Sequence, residues 1–475
     1  MAMIAPQDLL FLLMEAREKP AHVGGLQLFE TPDGADRRYL YDLYRSAIDS
    51  DAPVRSLFRR RLKRPGLGGL SWTPDDDFDI EYHVRHSALP EPGRVRELLT
   101  VVSRLHGALL DRNRPLWEAH LIEGLDDGRF ALYTKIHHAL CDGVTAMRLL
   151  ESSMSADPDE RDMPLPWERR PKGSIFDEPD PDEVGAGRSH PDPDDDTWTA
   201  VIADGVRRLG SGLSGAAGVL DAVGPLAASL GDQLRSANLR APRTMLNVPI
   251  TGARRFAADS WSIERIKAAA EPYGATVNDM VLAMSAGALR TYLLHQDALP
   301  DEPLVAMVPV SLKTRGADDR AGNAVGAILC SLGTHLEDAS ARLEHIQASI
   351  RQSKSRLEGL TPGQIIALSA LSLAPAALSM SPLIRLPGAE DVVRPAFNIV
   401  ISNVPGPQQP LYWNGARLTG SYPMSLLVDG QALNITTSSY AGSLDFGILG
   451  CRRQVPSLQH LLEHLEDELV ALEAG

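Results

Sequence analysis

The run His137-His138-Ala139-Leu140-Cys141-Asp142-Gly143 gathers two imidazoles, a thiol and a carboxylate within seven residues, a set that could serve general-base, nucleophilic or metal chemistry. It lies where a strand-like segment, Ala131 to Ile136, gives way to helical spacing of apolar positions from Val144 to Ser153. Adjacent side chains at a strand end point to opposite sides, so His137 and His138 are not expected to reach one atom. One can act on a substrate while the other supports it. A metal site built from both histidines, Asp142 and Cys141 would need them to converge, which their opposed directions disfavour, and no metal is expected. Cys141 could be a thiolate only if a neighbour lowered its pKa, and apart from the histidines none is local. The remaining alternative is structural, with both histidines hydrogen-bonded in a core.

The elements that must hold this run read as mixed α/β. His22 to Phe29 joins Ala131 to Ile136 as a strand, and Arg94 to Leu110 has helical periodicity. The second half repeats the mixture. Helices are expected over Ser262–Ala270, Asn278–His295, Ser340–Leu357 and Pro456–Ala474, and strands over Leu304–Val310, Phe397–Ser402 and Leu433–Tyr440. No short internal repeat is visible.

A chain of 475 residues exceeds one ordinary core. Between Ala156 and Trp198 fourteen Asp or Glu stand against five Lys or Arg among many prolines, the composition of a solvated linker. The expected division is therefore an N-terminal domain at 1–155, a linker with an apolar crossover at 156–245, and a C-terminal domain at 246–475. A long surface loop within one domain is the alternative. Thr199 to Leu239 is rich in Gly, Ala, Leu and Val, but its uncharged runs are too short for a bilayer span. A helical pair packed between domains is expected there, with a membrane-surface role as the alternative.

Hydrophobic residues at 44% and charged residues at 23% match a soluble globular protein. The net charge of -15 excludes a nucleic-acid binder. Cys141, Cys330 and Cys451 are too scattered for a disulfide framework or a zinc site, which fits a reducing, cytoplasmic setting. The apolar patch Leu9 to Met14 follows Asp8 and runs into Glu15, Arg17, Glu18 and Lys19, so it is not expected to be a signal peptide.

With its surroundings, the His-His run resembles the HHxxxDG motif of CoA-dependent acyltransferases, a motif shared with nonribosomal peptide condensation domains. Leu110 to Glu118, containing Pro115, Leu116 and Trp117, resembles the PLW region of the bacterial wax ester synthase/diacylglycerol acyltransferase family. Thr276-Val277-Asn278-Asp279 resembles its ND motif. Pro309-Val310-Ser311-Leu312, Gly322-Asn323, Ile401 to Pro407, Ser439 to Gly447 and the opening from Asp8 to Gly24 add to the likeness. Lys313 departs from it, since an arginine is the family's usual residue there, and a lysine cannot form a planar bidentate fork.

The resemblance implies a chloramphenicol-acetyltransferase-like fold of two α/β domains with the reaction centre in a channel between them. It implies acyl transfer from acyl-CoA to diacylglycerol or a long-chain alcohol, with His138 as general base, His137 as its support, and no cofactor beyond the co-substrate. Asp142, followed by Gly143, would organise the loop by pairing with a distant arginine. Asn278 with Asp279, and Ser402 with Asn403, are candidates for substrate binding or oxyanion stabilisation. Helix capping by Asn278 and turn formation by Ser402 and Asn403 are the alternatives. Peripheral contact with the inner face of a membrane or with lipid bodies is expected, because both acceptors dissolve there. The rival functions are a transferase fed by a carrier protein and a lipid-binding protein without turnover.

Overall fold

Branched and aromatic residues fill the segments that pair into sheets, whereas Asp142, Ser262 and Thr276 each start a helix by accepting the backbone N–H three residues on. The computed structural model describes residues 2–4, 6–36, 38–63, 70–169, 241–311, 325–357 and 395–475. The helical pair expected over 199–239, most of the acidic stretch, Gly322-Asn323 and Lys313 lie outside them.

The first half runs β1 (Ala2–Met3), α1 (Pro6–Met14), β2 (His22–Glu30), α2 (Tyr39–Ile48), β3 (Arg60–Lys63) and β4 (Ser71–Pro74). It continues through α3 (Ile80–His83), β5 (Val84–Ala88), α4 (Val95–Gly107), β6 (Trp117–Glu123), β7 (Phe130–His137) and α5 (Gly143–Glu151). The second half comprises β8 (Arg254–Ser262), α6 (Ile263–Ala270), α7 (Val277–His295), β9 (Val305–Ser311), β10 (Val325–Ser331) and α8 (Ala339–Leu357). It ends with β11 (Ile399–Val404), β12 (Tyr412–Trp413), β13 (Ala416–Met424), β14 (Leu433–Tyr440), β15 (Ser443–Cys451) and α9 (His460–Ala474).

Two six-stranded mixed sheets organise these elements, in the orders β12-β13-β2-β7-β6-β5 and β10-β9-β11-β14-β15-β8, beside a small β1-β4-β3 sheet. The expected boundary between halves needs correction. Although β12 and β13 fall within 246–475, β13 pairs antiparallel with β2 from Arg417 opposite Glu30 to Met424 opposite Gly24. The second half therefore completes the first half's sheet. Asp445 then ties β13 to the other sheet, accepting from the Ser421 N–H at 2.7 Å, the Ser260 hydroxyl at 2.7 Å and the Ser443 hydroxyl at 2.8 Å. Burial pushes its carboxyl up, and these three donors only partly offset that.

The core also crosses the boundary. Leu98 and Val102 of α4 join Phe256, Ile448 and Leu465 in one buried cluster, and Ser103 accepts the Phe256 N–H at 2.9 Å. Residues 156–168 are not free linker. Met163, Leu165 and Trp167 are buried in the first half's core, and the Trp167 ring lies 5.2 Å from that of Trp117. On the far side, Ala241, Leu246 and Ile250 are buried, and Asn398 donates to the Pro242 carbonyl at 2.7 Å. The expected linker is thus shorter at both ends than 156–245.

If 156–168 is part of the core, Trp167→Ala lowers stability by about 3–5 kcal/mol, as loss of a large buried aromatic does. Chemical denaturation measures it; an unchanged midpoint would return the segment to the linker.

Candidate active site

Strand β7 delivers the two histidines from the middle of its sheet, between β2 and β6. Close approach of β2 needs glycine, since a Cβ on Gly24 would sit 2.8 Å from the Thr134 carbonyl oxygen and 3.2 Å from His106 Nδ1. At the end of β7 the backbone is held from both sides: the His137 N–H donates to the Leu116 carbonyl and the His138 N–H to the Ala21 carbonyl, each at 2.9 Å. The buried Pro115-Leu116-Trp117 segment therefore holds the backbone at the end of β7. Trp117 anchors it, donating from Nε1 to the Phe58 carbonyl at 2.8 Å and stacking on His83.

The two imidazoles have different surroundings, as strand geometry predicts. His137 is fully buried, and its Nδ1 accepts the Ala139 N–H at 3.0 Å. A backbone N–H can only donate, so the ring proton resides on Nε2, which points to Glu15 Oε1 at 3.5 Å. Glu15 accepts hydrogen bonds from the Ala21 N–H at 3.2 Å and from Arg112 Nε at 2.9 Å. Burial pushes its carboxyl up, but His137, Ala21 and Arg112 together outweigh burial and hold it below its usual range.

His138 is half-buried, and its ring stacks on Phe11 of α1 with centroids 4.0 Å apart and planes 23° from parallel. No other described residue hydrogen-bonds its ring nitrogens. Burial lowers its pKa, the Asp142 charge opposing without overcoming it. Cys141 is buried and its thiol is pushed strongly up, first by burial and then by the charges of Asp142 and Asp8, which removes the basis for a thiolate nucleophile. Among the described residues no group of three or more His, Cys, Asp or Glu is arranged to hold a metal ion.

The arginine partner expected for Asp142 is absent among the described residues. Its Oδ1 instead accepts the Thr145 N–H at 2.7 Å, making Asp142 the N-cap of α5. Gly143 opens that helix, with nothing within 4 Å of where a Cβ would stand. In the second half, Thr276 caps α7, and Asp279 completes a capping box by accepting the Thr276 N–H at 2.8 Å. Asp279 is thus a structural acceptor and not an oxyanion donor. Asn278, two residues inside the cap, is left free of capping duty. Ser402 and Asn403 lie within β11, not in the turn that follows. Thr437 donates its hydroxyl hydrogen to Asn403 Oδ1 at 3.0 Å, which leaves the amide N–H groups of Asn403 for other acceptors.

No hydrogen bond, ion pair or ring contact joins Asn278, Asp279, Ser402 or Asn403 to His138 among the described residues. A crevice lies between the two sheets, and none of these five residues lines it. Met147, Leu150 and Glu151 of α5 line it together with Gln27, Pro407, Ser421 and Ser438, the last opposite Val404 in register. Gln27 Oε1 and Ser438 Oγ are buried there without a partner among the described residues, and burial raises the Glu151 carboxyl to about 7 against the opposing charge of Arg148. Sequence reasoning did not assign roles to Phe11, Glu15 or Arg112. The available signal was the spacing of Phe11 and Glu15, four residues apart and so on one helix face.

Residues 4–281 match the sequence profile of the wax ester synthase/diacylglycerol acyltransferase catalytic domain, and residues 321–473 that of the WS/DGAT C-terminal domain. A Mycobacterium tuberculosis protein named a probable diacylglycerol O-acyltransferase is 48% identical over 475 residues, spanning 100% of this chain and 99% of its own. The solved wax ester synthase/diacylglycerol acyltransferase from Marinobacter aquaeolei VT8 is 43% identical, with a TM-score of 0.78 over 100% of this chain and 99% of that one. The first condensation domain of the CDA synthetase, at 16% identity and a TM-score of 0.54 over 100% and 96%, shares the fold alone. These likenesses bear out the expected two-domain α/β acyltransferase fold.

If Asp142 acts as a cap, Asp142→Asn retains activity within a few-fold, whereas Asp142→Ala loses about 1 kcal/mol of stability. Thermal denaturation and turnover of both variants check this; inactivity of a stably folded Asp142→Asn would show that the charge itself is needed.

Proposed function

The chain belongs to the wax ester synthase/diacylglycerol acyltransferase family, and from that premise we propose that its acyl transfer to diacylglycerol or a wax alcohol runs through His138 as general base. The observation that carries this is the contrast between the two imidazoles. His137 is fully buried with Nδ1 committed to Ala139, whereas His138 is half-buried and no other described residue ties its ring nitrogens.

A hydroxyl, with a pKa near that of water at about 15.7, is a poor nucleophile unaided. In the proposed reaction His138 takes the hydroxyl proton as the alcohol oxygen bonds to the thioester carbonyl carbon of acyl-CoA. The carbonyl becomes an oxyanion, then re-forms as the C–S bond breaks, and the imidazolium returns its proton to the departing CoA thiolate. This sequence needs neither an acyl-enzyme nor a bound cofactor. Asn403 and Asn278 are the proposed oxyanion donors. The engaged amide oxygen of Asn403 supports the first, and the release of Asn278 from capping by Thr276 supports the second.

Peripheral attachment to a membrane or lipid body is part of the proposal. No helix among the described residues is long and apolar enough to cross a membrane. Leu13 and Leu109 are exposed on the two segments that the bond from Arg112 to the Leu12 carbonyl draws together. Each buried methylene of an acyl chain contributes about 0.8 kcal/mol, so a surface beside the lipid phase favours capture of both substrates.

Incubation with labelled palmitoyl-CoA and either diolein or hexadecanol is expected to yield ester with at least one acceptor. Failure of both, with transfer from an acylated carrier protein, would overturn the assignment. His138→Ala is expected to lower kcat by about 10²–10⁴-fold. The base must be unprotonated to act, and burial lowers its pKa below the ordinary value of 6.5. Activity therefore persists as pH falls through 6.5 and is lost only at lower pH; an acid limb of kcat/KM at or above 6.5 would contradict this.

A further inference from the structure

We propose that Glu15 is a positioning residue for acyl transfer, and that α1 holds both histidines of the motif, His137 through Glu15 and His138 through Phe11. The Ala139 N–H leaves His137 only one ring nitrogen with a proton, and Glu15 Oε1 is the acceptor facing it, 3.5 Å away. The carboxylate is itself held on both oxygens, Oε1 by the Ala21 N–H and Oε2 by Arg112 Nε. Arg112 reaches on to the Leu12 carbonyl at 2.5 Å, so the same guanidinium fixes the carboxylate and the last turn of α1. The Glu15 N–H donates to the Phe11 carbonyl at 3.1 Å, one helical turn back, and the Phe11 ring stacks on His138.

His22 lies opposite His137 in register on β2, with Lys135 two residues earlier on β7 and His138 next in the chain. None of them is an anion. Glu15 is therefore the one carboxylate described as facing the His137 Nε2–H, and loss of it frees that ring and the Phe11 turn together. The inference rests on the reading of His138 as base only for which atom is being positioned.

Steady-state kinetics of Glu15→Gln, Glu15→Ala, His137→Ala and the double variant Glu15→Ala/His137→Ala, beside His138→Ala, test it. Glu15→Gln keeps an acceptor for Nε2–H and is expected within about fivefold of the parent kcat, whereas Glu15→Ala loses about 10–100-fold in kcat with KM for palmitoyl-CoA changed less than about twofold. The double variant is expected to be no slower than His137→Ala, because the two residues act through one contact. Parent-like turnover of Glu15→Ala, a loss confined to KM, or losses that multiply in the double variant would each overturn the proposal. Should Glu15→Ala not fold, Glu15→Leu, which fills the volume without accepting a proton, carries the same expectations. Full activity of His138→Ala would instead remove the base assignment and leave the comparison of Glu15 with His137 standing.

Discussion

A backbone N–H can donate a hydrogen bond but not accept one, and that of Ala139 donates to His137 Nδ1 at 3.0 Å. That contact fixes the tautomer of a fully buried ring and directs its remaining proton toward Glu15. Through Glu15 the constraint reaches Arg112, the last turn of α1 and the Phe11 ring over His138. The His-His motif is thus less a pair of equivalent reagents than a half-exposed imidazole beside an internal brace. Burial favours the neutral form of both kinds of group in this chain of contacts but prevails at only one. It lowers the pKa of His138, favouring the neutral imidazole, while the surrounding donors keep Glu15 ionised in spite of it.

Helices with a full local signal were legible in the sequence. Residues 277–295 combine an apolar run with a Thr276–Asp279 capping box, and the helix forms where the pattern places it. Strand β6 was not legible. Every residue from Trp117 to Ile122 is buried, yet Glu118 and His120 interrupt the apolar pattern. They are tolerated because Glu118 meets His120, two residues along the same strand, at 3.1 Å and the Lys135 ammonium at 3.2 Å, the second a partner that only tertiary structure supplies. Pairing is harder still to read. Strand 416–424 is not among the strands expected from the sequence, and nothing in it names β2, in the other half of the chain, as its neighbour.

At the site, the His-His run and its strand-to-helix setting were legible because residue types and periodicity coincide there. The capping role of Asp142 was not: a carboxylate before a helix suits a cap as well as an ion pair, and the bond from the Thr145 N–H at 2.7 Å is visible only in the structure. Glu15 was visible in the sequence as a charge ending an apolar segment, a description that carries no hint of His137, more than a hundred positions away. The likeness to a condensation domain, at 16% identity, shows how far the fold persists while the chemistry is set by particular side chains.

Strand β2 has one neighbour, β7, about a hundred positions downstream, and another, β13, that meets it with Gly24 opposite Met424, about 400 positions apart. Synthesis proceeds at about 5–20 residues per second, so roughly 20–80 s separate the emergence of β2 from that of β13. During that interval one edge of a largely buried strand has no partner within the chain, the condition under which edge strands recruit other chains. The strand that carries the histidines is thus in place early, while the sheet around it closes among the last events of synthesis. Holding that edge safely in the meantime is a demand on the cell that the finished molecule no longer displays.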